Sequence, residues 1–60
     1  MGEEFRIILD DLVRMRQRLE GELALARAAS DAELAADLEH GIAQCDGLIA
    51  FIREGMRPLH

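Results

Sequence analysis

Between Glu3 and Ala29 apolar side chains return every third or fourth residue, at Phe5, Ile8, Leu12, Met15, Leu19, Leu23 and Ala26, with charged residues in most of the gaps. That spacing marks one face of an α-helix. No proline interrupts the stretch, and only Gly21 lowers its helix propensity. A second stripe runs through Leu34, Leu38, Gly41/Ile42, Cys45, Leu48/Ile49, Ile52 and Met56. Between the stripes stands Ser30-Asp31-Ala32-Glu33. A serine three residues before a glutamate is the capping-box pattern, in which the hydroxyl satisfies an orphan amide and the glutamate reaches back. The pattern therefore predicts an all-α chain with helices over about residues 3–29 and 31–55. A very tight turn joins them, and Gly55 and Pro58 end the second.

So short a turn forces the helices antiparallel, and facing positions then sum to about 60. Phe5 should meet Gly55/Met56, Ile8 should meet Ile52, and Leu12 should meet Leu48/Ile49. Met15 should likewise meet Cys45, Leu19 should meet Gly41, and Ala26 should meet Leu34. Several of these layers set a large residue against a small one, as close packing requires. Close helix approach explains Gly41, since a glycine inside a helix costs about 1 kcal/mol relative to alanine.

Two helices cannot cover both sides of the seam they share. Ile7, Leu9, Val13 and Leu25 lie beside or outside the first stripe, and Ala36, Ala43, Gly47, Ala50 and Phe51 lie on the flank and outer face of the second. That surplus of apolar surface predicts association, with a homodimeric four-helix bundle as the minimum and a larger oligomer as an extension. The first helix would contribute Phe5, Ile8, Leu12, Met15, Leu19 and Leu23 to the oligomer core. The second would contribute Leu34, Leu38, Ile42, Cys45, Leu48, Ile49, Ile52 and Met56.

Composition narrows the function. Sixty residues make one small domain, read here as a single hairpin over 1–60. The longest apolar run, Leu48 to Ile52, is far too short to span a bilayer, and no basic segment followed by an apolar one suggests secretion. A single cysteine cannot form an internal disulfide, so a reducing cytoplasm is the expected compartment. The net charge of −5 disfavours phosphate backbones and anionic membranes, which are bound by neutralising their charge with cations. Arg14, Arg16 and Arg18 look like a basic patch. Yet Asp10–Arg14, Arg16–Glu20 and Arg18–Glu22 all have the i,i+4 spacing of intrahelical ion pairs. Aromatic side chains for stacking bases are absent from that face. Neither nucleic acid nor a membrane is an expected partner; the chain itself is, with another protein as a second option.

Candidate chemistry is sparse. Asp37-x-x-His40 has metal-pair spacing, but Leu34 and Leu38 mark the buried side, which leaves Glu39 and His40 on a solvated face. No Ser/His/Asp or Cys/His constellation and no glycine-rich phosphate loop is present, so an enzyme and a bound cofactor are not expected. The Met15–Cys45 layer pairs a thioether with a thiol. These are ordinary core residues, and they are also the ligand types that a soft ion such as Cu(I) prefers.

The turn and second-helix start, Ser30-Asp31-Ala32-Glu33-Leu34 followed by Leu38 and His40, resemble those of encapsulated ferritins. The resemblance extends over about Met15 to Arg53. It implies half-ferritin hairpins that dimerise into a four-helix bundle and build rings around a di-iron site. The family's glutamate and Glu-x-x-His ligands fall on Met15, Cys45 and Leu48, so the resemblance implies the assembly without the ferroxidase ligands. The hairpin plan is also similar to that of the RNA-binding Rop proteins, but their basic and aromatic helix face has no counterpart here. Three readings follow: a non-catalytic self-associating scaffold or regulatory module, a soft-metal or thiol-redox bundle centred on Met15/Cys45, or a degenerate ferritin-like assembly protein.

Overall fold

In a computed structural model, which describes residues 2–55, the chain forms two helices, α1 (Gly2–Ala28) and α2 (Ala32–Gly55), packed as an antiparallel hairpin. Both helices start and stop within a residue of the sequence expectation. Met56 and Pro58, placed by the sequence in the second stripe and at the helix end, lie outside the described residues. Acidic Glu3 and Glu4 open α1 and Arg27 closes it, while Glu33 opens α2 and Arg53 closes it. Each charge opposes the partial charge of the helix end where it sits.

The turn is assembled differently from the capping box that the sequence suggests. Ser30 takes a left-handed conformation, φ 58°, and its amide donates to the Arg27 carbonyl at 3.0 Å. The next amide, that of Asp31, donates back to the Ala26 carbonyl at 2.9 Å. This pair of bonds is the Schellman ending of a helix, with serine where glycine is usual. Asp31, not Ser30, then caps α2. Its Oδ1 accepts from the Leu34 amide at 3.1 Å, and its carbonyl accepts the first helical bond, from Ala35, at 2.9 Å. The reason lies in the backbone, because a residue in the left-handed region cannot also hold the extended conformation of an N-cap. The third residue after Asp31 is Leu34, which has no polar group to reciprocate.

Four side chains are buried by this packing among the described residues: Leu23, Ala26, Cys45 and Ile49. Around them Leu9, Leu12, Val13, Arg16 and Leu19 of α1 are half-buried, as are Ala35, Leu38, Gly41, Ile42 and Ile52 of α2. The expected Leu19–Gly41 layer is present: a Cβ placed on Gly41 would meet Leu19 Cδ1 at 3.4 Å. In the first half of α1, however, the line that meets α2 departs from the expected stripe. Phe5, Ile8 and Met15 are about half exposed, and the seam runs through Leu9, Leu12, Arg16, Leu19, Leu23 and Ala26 instead. Those residues step alternately by three and four, the heptad spacing of helices crossing at a shallow angle. Leu9 and Val13, placed by the sequence reading beside or outside the stripe, thus help to close the hairpin.

Two substitutions test the turn in opposite directions. Asp31→Ala should destabilise the hairpin by about 1 kcal/mol by removing the cap of α2. Ser30→Gly should stabilise it by about 1 kcal/mol by relieving the left-handed strain. Thermal melts followed by circular dichroism at one protein concentration would check both; a Ser30→Gly variant that melts earlier would contradict this account of the turn.

Candidate association surface

The seam divides the hairpin into two unlike sides. On one side Arg27 pairs with Glu39 and Arg16 pairs with Asp46, so two ion pairs cross from α1 to α2. Arg16 also holds Glu20 one turn on at 2.7 Å, the intrahelical pair expected from the i,i+4 spacing. The hydrogen bond to Asp46, then the charge of Asp46, then that of Glu20 raise the Arg16 guanidinium pKa above its ordinary value. All of these side chains are in contact with water, and exposed pairs of this kind contribute about 0–1 kcal/mol each. Their consequence is positional. Arg16 occupies a seam position where a leucine would be usual, and its reach to Asp46 opposes a slip of one helix along the other.

The opposite side is more apolar, although Glu22 continues its α1 row. Ile8 and Met15 stand seven residues apart on α1, and Leu34, Gly41, Leu48 and Gly55 repeat at the same interval on α2. Both rows flank the seam on the side away from the ion pairs, because seven residues make nearly two whole turns. Near the turn, a shallow concavity of about 280 Å³ is lined by Glu22, Leu25, Ala26, Ala29, Asp31, Leu34 and Leu38. A separate concavity, lined by Glu20, Leu23, Ala24, Arg27, Glu39 and Ile42, opens on the ion-paired side. The large apolar side chains left exposed among the described residues are Phe5, Ile7, Ile8, Met15, Leu25, Leu34, Leu48 and Phe51. Phe51 and Leu25 are the most exposed of them, at 76% and 72%.

The chain exposes 4994 Å². A compact monomer of its mass, 6.7 kDa, would expose about 3,900 Å². The difference of about 1,100 Å² reflects the elongated form of the hairpin, 48 × 17 × 11 Å, and belongs to the whole chain and not to one side.

The residues considered for chemistry are dispersed. Cys45 is a free thiol, buried within the seam at 5% exposure, whereas Met15 is 51% exposed on the apolar side. Asp37, Glu39 and His40 are all exposed; Glu39 is held by Arg27, and His40 stands 3.3 Å from Gln44 through its Nε2. Among the described residues, no three His, Cys, Asp or Glu side chains gather in a way that could hold a metal ion. No described helix is long and apolar enough to cross a membrane. No family model, curated protein or solved structure matches the chain.

Sequence reasoning anticipated Arg16–Glu20 but missed the two pairs that cross the seam. Arg16 and Asp46, and Arg27 and Glu39, become neighbours only once the register is set. The register sum puts Asp46 within a turn of the position facing Arg16, but it leaves Glu39 six residues from the position facing Arg27, so only the first pair had a signal in the sequence.

The thiol gives a direct check of the seam. Cys45 should react slowly with a thiol reagent in the native protein and rapidly once it is unfolded. Cys45→Ala should cost about 1–2 kcal/mol of stability through lost packing. Fast alkylation without unfolding would place the residue elsewhere.

Proposed function

We propose that this chain is a non-catalytic, self-associating helical hairpin that serves as a scaffold or regulatory protein-interaction module. The observation that carries the reading is the exposure of Phe5, Ile8, Met15, Leu34, Leu48 and Phe51, set against only four buried side chains among the described residues. A homodimeric four-helix bundle is the smallest assembly that covers such side chains, and a larger ring or stack would cover more. The likeness to half-ferritin hairpins supports the same plan, two hairpins completing one bundle, with methionine, cysteine and leucine at the positions of the iron ligands.

Folding and association should then be coupled, because few side chains are buried by the hairpin alone. Sedimentation equilibrium at micromolar concentration should give a mass at least twice that of the chain, and the melting temperature should rise with protein concentration. A well-folded monomer whose melting temperature is independent of concentration would overturn the proposal.

A further inference from the structure

We infer that the ion pair between Arg16 and Asp46 selects which of two adjoining rows of α1 packs on α2, and so which row the hairpin presents outward. The selection operates within one hairpin, whether or not the chain associates.

Two rows are on offer in the half of α1 far from the turn. The observed seam passes through Leu9, Leu12, Arg16 and Leu19, and a rival row runs through Ile8, Leu12, Met15 and Leu19. They join at Leu19 and continue together through Leu23 and Ala26, both buried beside the turn. The observed row steps by three and four in alternation, the heptad repeat that coils helices left-handed. The rival takes two steps of four in succession, from Met15 to Leu19 to Leu23, which locally unwinds such a coil. Passing from one row to the other turns the free half of α1 by about 50°, half the angle between successive residues, and leaves the turn as it is.

Apolar content alone does not explain the choice. The rival row is uncharged, yet Ile8 and Met15 stay 47% and 51% exposed while the seam accepts a guanidinium. What the seam row has and the rival lacks is a bond to the other helix. Arg16 Nε donates to Asp46 Oδ1, whereas its Nη1 donates to Glu20, 2.7 Å away on α1 itself. Glu20 turns with α1 and cannot fix its rotation. Arg27–Glu39 also crosses, but in the half that the turn already holds. An exposed pair contributes little to stability, and a small contribution is enough to decide between two packings that bury similar side chains. Without Asp46, α1 turns: Arg16 moves out to water, Ile8 and Met15 meet α2, and Leu9 and Val13 take their place outside.

Val13 reports the rotation. It is the only valine in the sequence, and it is half-buried. It stands seven residues before Glu20, hence on the ion-paired side, while Met15 stands on the other. The test is methyl NMR of the full chain, labelled at valine and methionine, with a soluble paramagnetic reagent that broadens exposed methyl groups. In Asp46→Ala the ratio of Val13 to Met15 broadening should rise about twofold or more, because the rotation carries Val13 into water and Met15 toward the seam. Asp46→Glu, which keeps a carboxylate within reach of Arg16, should leave the ratio at its wild-type value. A pair that merely stabilised the hairpin would, on removal, loosen both methyl groups together and leave the ratio unchanged. An unchanged ratio in folded Asp46→Ala would therefore overturn the inference, as would an equal rise in Asp46→Glu. So would loss of the helical signal in Asp46→Ala, since alanine is the better helix former at that exposed position and the pair would then hold the fold without choosing its rotation.

Discussion

The amide of Asp31 closes the last turn of α1 onto the Ala26 carbonyl, while the same residue's carboxylate caps the first turn of α2 through the Leu34 amide. One residue thus ends one helix and begins the next. With Ser30 held at φ 58° beside it, the chain reverses within three residues and has almost no freedom in how the helices leave the turn. Everything further along depends on that constraint. It sets Leu19 against Gly41, brings Arg27 to Glu39 and Arg16 to Asp46, and buries Cys45 and Ile49 in the seam. Hairpin loops of this length leave antiparallel neighbours as the ready solution.

The two sides of the seam then divide the work between specificity and affinity. Exposed ion pairs add little to stability, but they keep one side wet and oppose slippage of the helices. The apolar side does the reverse. It offers area and imposes little direction, because apolar burial depends on surface removed from water more than on angle. Among the described residues only Leu23, Ala26, Cys45 and Ile49 are buried, so the hairpin holds a small reserve of such burial within itself. Additional apolar contact would come from outside the chain, as in the proposed association.

The same economy explains why chemistry is hard to place on this scaffold. A two-helix layer encloses no deep cavity, so a reactive group either stands in water, as His40 does, or is packed among apolar neighbours, as Cys45 is. Neither setting combines access with the partner groups that activate a side chain.

Helix periodicity, the absence of internal proline and the Ser30–Glu33 segment were enough to determine two helices, their limits, the tight turn and the antiparallel register, since these depend on local propensity and on chain geometry. Leu19 opposite Gly41 was legible for that reason, as was the Arg16–Glu20 pair. Which residue caps α2 was not, because Ser30 and Asp31 are both good caps and only the backbone conformation of the turn chooses between them. Nor could the stripe of α1 be divided into its parts. Phe5, Ile8 and Met15 stand beside Leu9, Leu12 and Val13 on adjoining rows, and periodicity gives the same hydrophobic signal for both. Tertiary packing decided that the latter row, with Arg16, meets α2 and the former stays exposed. The physical reason is that a helix with a broad apolar arc can turn about its axis at little cost in burial, so the final rotation is chosen by the shape and charge of the helix it meets.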